Sequence, residues 1–70
     1  MPRFERILIT GAAGNLGREL RRGLAPLAAA LRLSDRADLG VAAAHEELAP
    51  AELGDFDAVL EAVRGCDAVV

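Results

Sequence analysis

Three glycines recur at three-residue steps in ILITGAAGNLG: Gly11, Gly14 and Gly17. They follow the apolar, β-branched run Ile7 to Ile9 and precede a leucine periodicity. Glycine at a strand-to-helix junction clears side chains from the backbone. Amides bared at the helix start can then meet an anion, which the helix dipole also favours. That end effect is worth about 0.3–1 kcal/mol for an exposed charge, so it positions a phosphate group but cannot alone hold it. Gly11 permits the tight turn, Gly14 lets a pyrophosphate approach the backbone, and Gly17 lets the helix pack close to the sheet. Asn15 and Leu16 carry the amides that point out of the helix start. An acid, Asp35, stands 24 positions after Gly11, at the end of the next apolar stretch. A carboxylate there can accept hydrogen bonds from both ribose hydroxyls and repels a 2′-phosphate, which favours NAD over NADP. Arg36 beside it is the residue type that accommodates a 2′-phosphate, and it keeps NADP open.

These residues need particular elements to position them. Residues 6–10, RILIT, form an apolar run too short for a helix and read as a buried strand. From Asn15 the period changes: Leu16, Leu20, Leu24 and Leu27 recur at three- and four-residue steps, the stripe of an amphipathic helix. Gly23 weakens that helix and Pro26 cannot continue it, so it ends near Ala25. Residues 30–34 alternate and read as a second strand ending at Asp35. The stretch RADLGVAAAHEELAPA predicts no helix. A third strand is expected within 46–51, where Pro50 fits an edge position because it lacks the N–H that a ladder needs. In GDFDAVLEAVRG, Asp55 is an N-cap, Phe56, Val59, Leu60 and Val63 supply a buried stripe, and Gly65 is the stop. CDAVV starts a fourth strand.

The alternation predicts an α/β fold: a Rossmann-like, doubly wound parallel sheet with helices on its faces. The expected strand order is 3-2-1-4, with Pro50 harmless at the edge and a ligand crevice at the switch point between strands one and four.

Composition narrows the function. Seventy residues make one small domain. The net charge of −3, with eight scattered arginines, argues against a nucleic-acid partner. Arg18, Arg21 and Arg22 read as a solvated helix face. Cys66 has no disulfide partner and His45 no companion ligands, so neither a disulfide framework nor a metal site is expected, and a reducing, cytoplasmic setting is. Cys66 reads as packing before the fourth strand and His45 as solvent-facing. The apolar start is too short for a signal peptide, and no run reaches the ~18 residues of a membrane span.

TGAAGNLG, LRLSD and DAVLEAVRGCDAVV together resemble the extended short-chain dehydrogenase/reductase family, also called the NAD-dependent epimerase/dehydratase family. Within it, ITGAAGNLGRELRRGLAPLAAALRLSD looks most like the bacterial uronate dehydrogenases. The resemblance implies NAD-dependent oxidation of a hexuronate, glucuronate or galacturonate, to its aldarolactone. It makes Gly11, Gly14 and Gly17 the phosphate loop, Asn15 and Leu16 its backbone donors, and Asp35 the ribose acid. AELGD aligns with a family segment in which an aspartate meets the adenine amino group and the next residue lies beside the ring. Glu52 and Leu53 are the counterparts here, and glutamate for aspartate departs from the family pattern.

The family's hydride transfer uses a Ser/Thr and a YxxxK pair. This chain has no tyrosine and no lysine, and its only serine is Ser34. No residue fits the general acid–base role, so no catalytic residue is assigned. The expectation is therefore an NAD-binding segment, residues 1–70, at the N-terminus of a larger enzyme and inactive alone. It should self-associate through the unpaired fourth strand, and a sugar acid would be the substrate of the whole. A nucleotide-sugar epimerase or dehydratase, and a non-catalytic dinucleotide-binding or self-associating half-fold, remain as alternatives.

Overall fold

The computed structural model describes residues 3–70. Strand β1 spans Phe4–Thr10 and helix α1 Asn15–Leu24, followed by a single 3-10 turn, Ala25–Leu27. Strand β2 spans Ala28–Ser34, β3 Glu46–Leu48, helix α2 Phe56–Val63 and β4 Ala68–Val69. The four strands form one parallel sheet in the order β3-β2-β1-β4, the order expected from the alternation. In register, Ile7 lies beside Leu31, Ile9 beside Leu33 and Thr10 beside Ser34.

The period of two sorts the side chains between the sheet faces. Ile7, Ile9, Leu31 and Leu33 project to one face and are buried with Ala12 and Leu39, and Leu20 and Leu24 of α1 pack against them. Each fully buried aliphatic side chain contributes about 1.5–3 kcal/mol relative to exposure, so this face carries most of the apolar stabilisation.

The buried stripe of α1 differs from the leucine stripe read in the sequence. Leu16 is 73% exposed, whereas Gly17 is buried. The face toward the sheet runs Gly17, Leu20, Leu24, and Leu16 lies one residue, about 100°, around the helix from its start. The helix ends at Leu24, and Pro26 falls in the 3-10 turn, where its missing N–H costs nothing.

Helix α2 begins as expected: Asp55 accepts from the Ala58 N–H at 3.1 Å, and Gly65 beyond its end has φ +78°. Its inward face is another correction. Ala62 is buried and Val59 and Val63 are half-buried, but Phe56 is 73% and Leu60 45% exposed. Beside the fully buried Leu8, the ground beneath this helix carries a polar network. Arg32 on β2 donates to the carbonyls of Ala62 and Arg64, and Arg6 on β1 donates to that of Gly65 at 3.2 Å. Both guanidiniums also bond Glu47 on β3. Small alanines can lie against such a network; Phe56 and Leu60, four residues apart on a shared face, turn away from it.

The edges agree with the sequence. Ala49 and Ala51 extend the β3 ladder past Leu48, donating to Leu33 O at 2.8 Å and Asp35 O at 3.3 Å. Pro50 sits between them, at the alternate position that faces the open edge. On the other side, Val70 N donates to Leu8 O at 2.8 Å and Thr10 N to Val70 O at 3.0 Å. Asp67 closes the start of β1, accepting from the Glu5 and Arg6 N–H groups at 3.0 and 2.8 Å.

Residues 37–45 contain no helix, as expected, yet they are pinned in place. Arg21 forms a two-pronged pair with Glu46 at 3.1 and 2.8 Å and donates to the carbonyls of Leu39 and Val41. Its side chain is only 19% exposed, so it is a clamp between α1 and the β3 approach rather than part of a solvated face. Arg18 and Arg22 do lie exposed. His45 is likewise half-buried, with Nε2 enclosed and unpartnered, and is not solvent-facing.

Candidate functional site

The glycine turn is built from its backbone. Gly11 has φ +64°, a left-handed conformation that residues with a Cβ adopt only at a cost. The turn closes with Gly14 N–H donating to Gly11 O at 3.1 Å, and Ala12 N–H ties it to Ser34 O, at the end of β2, at 3.1 Å. Gly17 packs directly beneath. A Cβ there would lie 2.6 Å from Ala12 Cα and 2.8 Å from Ala12 C, a backbone overlap with nothing flexible to move. Gly14 is different: it is exposed, and a Cβ would meet Gly11 O at an ordinary 3.4 Å. Nothing in the protein requires glycine at position 14, so a reason for it has to come from outside the chain.

Helix α1 starts without a side-chain cap and without an acid in its first turn. Its first backbone bond is Arg18 N–H to Gly14 O at 3.0 Å. Among the described residues, the amides of Asn15, Leu16 and Gly17 have no partner, and Asn15 and Leu16 are exposed. A helix start with free donors and no competing carboxylate suits an anion.

Asp35 lies immediately after β2, beside this turn. Its Oδ2 accepts from Ala13 N–H and its Oδ1 from Ala37 N–H, each at 3.0 Å. These bonds, Ala37's first and Ala13's second, hold its carboxyl below the usual carboxylate range, so it is ionised at neutral pH. Each oxygen keeps lone-pair capacity for a further donor.

A cleft of about 170 Å³ opens here, on the β2 and β3 side of β1 and not between β1 and β4, where the strand order predicts the crevice. Gly11, Ser34 and Asp35 line one wall; Ala51, Glu52 and Leu53, from the segment after β3, line the other. Arg36 stands at its rim, with Nη1 3.9 Å from Glu52 Oε1. The structure thus brings Gly11, Asp35, Glu52 and Leu53 together around one cavity, although Glu52 and Leu53 are far from the others in sequence. Gly14, Asn15 and Leu16 stand exposed at the helix start that follows the turn, and Gly17 is buried as its packing support. Ser34 and Ala13 were not legible as site residues. Ser34 looked like an ordinary strand end, and Ala13 acts only through its amide.

A larger cleft, of about 440 Å³, lies against α2 and contains none of these residues. Its arginine, Arg32, is already committed to Glu47 and to the C-terminal carbonyls of the helix. We place the candidate site at the smaller cleft, which holds the ionised Asp35 and Gly11, the first residue of the turn that leads to the free amides of α1. Cys66 behaves as packing: its thiol contacts Ala62 O at 3.6 Å, and burial pushes it up in pKa. No group of three or more His, Cys, Asp or Glu able to hold a metal occurs among the described residues. None of their helices is long and apolar enough to cross a membrane.

No family model matches the chain. Curated proteins do: it is 48% identical over 68 residues to a protein from Pseudomonas syringae pv. tomato and 47% identical over 68 residues to one from Pseudomonas putida, both named uronate dehydrogenase. Over nearly its whole length the chain is similar to uronate dehydrogenases. The crystal structure of uronate dehydrogenase from Agrobacterium tumefaciens superposes with a TM-score of 0.90 at 48% identity, over 93% of this chain and 24% of that one. A mutant of the same enzyme complexed with NAD matches equally well. Glucuronic acid dehydrogenase from Chromohalobacter salexigens matches with a TM-score of 0.89 at 47% identity. The 68-residue alignments cover 96% of this chain and 25% of each uronate dehydrogenase. The chain therefore spans about a quarter of the length of these relatives. The α/β sheet and the resemblance read from the sequence both stand.

Proposed function

We propose that this chain binds NAD, and that it is the cofactor-binding part, residues 1–70, of an enzyme that oxidises a hexuronate to its aldarolactone. In this reading the Asn15 and Leu16 amides meet the pyrophosphate, which the open surface at Gly14 lets approach, and Gly11 and Gly17 shape the turn. Asp35 accepts from the ribose hydroxyls, and Glu52 and Leu53 flank the adenine. The observation that carries the reading is that the ionised Asp35 is hydrogen-bonded to Ala13, in the same glycine turn that runs into the uncapped start of α1 with its free amides. The similarity to an NAD-complexed uronate dehydrogenase supports it.

NAD, when bound, supplies the hydride acceptor. The chain's own residues bind and orient the adenosine half. With no tyrosine or lysine among the 70 residues, none of them takes the substrate proton in the way the family's YxxxK pair does. Sugar-acid recognition and turnover belong, in this proposal, to a protein with the remaining length of the relatives, working in the cytoplasm. The exposed Val69 of β4, at the sheet edge, together with Phe56 and Leu60, supports self-association of the 70-residue chain.

Calorimetric titration of NAD into the wild-type chain and into Asp35→Ala tests the cofactor reading. Loss of the ribose bonds should weaken binding about ten- to a hundred-fold. Equal affinity for the two proteins would remove Asp35 from the site.

A further inference from the structure

Arg36 and Glu52 come from different loops and meet across the mouth of the candidate cleft. Arg36 follows Asp35 on the β2 side, Glu52 follows Ala51 on the β3 side, and their side chains approach to 3.9 Å. Of the two acids that line that cavity with Arg36, Asp35 and Glu52, only Glu52 lies within ion-pair distance of its guanidinium among the described residues. A guanidinium next to the ribose acid is a natural receptor for a 2′-phosphate, since it offers a planar fork of donors. Here one of its nitrogens, Nη1, lies 3.9 Å from a carboxylate oxygen.

We propose that Glu52 acts as a specificity-determining positioning residue: it holds Arg36 across the cleft mouth and so keeps that guanidinium from serving a 2′-phosphorylated nucleotide. The inference rests on the placement of the adenosine half at this cleft, and it explains how an arginine can stand beside Asp35 without inviting NADP. Two carboxylates then act against the 2′-phosphate in different ways. Asp35 repels it directly, and Glu52 withholds the cation that would attract it. The contribution of Glu52 is bounded, because both side chains are mostly exposed and such pairs are weak.

The test compares 5′-AMP with 2′,5′-ADP, two probes that fill only the adenosine half and differ by the 2′-phosphate. Dissociation constants are measured by NMR titration on the 70-residue chain, for wild type, Glu52→Gln, Arg36→Ala and the double variant. The quantity read is the ratio of the two constants, which a uniform loss of adenine contacts does not move. Glu52→Gln should shift the ratio roughly two- to five-fold toward 2′,5′-ADP, the range of an exposed ion pair. In the Arg36→Ala background the same substitution should leave it unchanged. An unmoved ratio in the single variant overturns the proposal, as does an equal shift with Arg36 absent, which would mean direct repulsion by Glu52. If 5′-AMP binds wild type and depends on Asp35 while the ratio stays fixed, only the Arg36–Glu52 role falls. If neither probe binds, the cofactor reading falls and this role with it.

Discussion

The Ala13 amide donates to Asp35 Oδ2 at 3.0 Å, so the acid proposed to grip the ribose also fastens the glycine turn to the end of β2. With Ala12 N–H bonded to Ser34 O, two successive amides of the turn are anchored on the last residue of β2 and the one that follows it. The same carboxylate thus has a structural use beside the ligand-facing one proposed for it, and a loss of binding on its removal needs a control for folding. Asp35→Asn keeps an acceptor for Ala13 and removes the charge. We expect Asp35→Asn to melt closer to wild type than Asp35→Ala does, while both lose NAD affinity. Thermal melts run beside the titrations check this; full NAD affinity in Asp35→Asn would show that the charge is dispensable.

Two glycines of helix α1 should respond to alanine in opposite directions. At Gly17 the new methyl would collide with the Ala12 backbone, and overpacking of that kind costs about 1–3 kcal/mol. That exceeds the ~0.5–1 kcal/mol gained by replacing a helical glycine. At Gly23 a Cβ meets nothing within 4 Å, so only the gain remains. Urea denaturation should show Gly17→Ala destabilised and Gly23→Ala stabilised by about 0.5–1 kcal/mol. Equal effects at the two sites would contradict the close approach of α1 to the turn.

Arg21 should matter more than its neighbours. Arg21→Met removes both bonds to Glu46, whose side chain is 6% exposed, and leaves that carboxylate with only the Ala43 amide, at 2.9 Å. An under-satisfied, largely buried charge of this kind costs about 1–3 kcal/mol. Arg18→Met and Arg22→Met, at exposed positions, should stay within about 0.5 kcal/mol of wild type in the same denaturation series.

Acid should unfold the chain through its carboxylates. Four have folded-state pKa values below their ordinary ones. Ala37 and Ala13 amides lower Asp35, and Arg6 and Glu5 amides lower Asp67. Arg21 lowers Glu46, and Arg6 followed by Arg32 lowers Glu47. A depressed folded pKa means that the stabilisation is complete above the unfolded value, about 3.9–4.3, and is lost as pH falls through the folded one. The melting temperature should therefore be nearly flat from about pH 6 to 8 and fall steeply below about pH 4. Asp67→Asn should sit below wild type at neutral pH and converge on it in acid. A constant gap between the two down to the lowest pH would mean that Asp67 stabilises the fold without its charge.

Much of the fold was legible because local signals agreed with one another. The short, β-branched apolar run of Ile7–Ile9, the glycine turn, Asp55 and Gly65 each specify backbone geometry directly, and Pro50 marked the edge strand. The helix faces were misread where the sheet surface departs from a plain apolar one. Counting leucines put Leu16 inside, but the closest approach belongs to Gly17, which carries no hydrophobic signal at all. Phe56 and Leu60 looked like core residues because a one-dimensional pattern does not show that Arg6, Arg32 and Glu47 lie under α2. Arg21 was invisible for a related reason: an arginine on a helix gives no sign of which carboxylate, 25 positions away at Glu46, will bury it. At the site, the glycines and Asp35 were readable from spacing. Glu52 and Leu53 came only through family resemblance, and Ala13 could not be read at all because its contribution is a backbone amide.

The most direct test is an amide-resolved NMR titration of the 15N-labelled chain with NAD. Binding at the proposed site should move the resonances of Gly14, Asn15 and Leu16 most, together with those of Asp35 and Leu53. Asp35→Ala should suppress the response. Shifts confined to Arg32, Ala49 and Arg64 at the larger cleft, or none at the start of α1, would contradict the account.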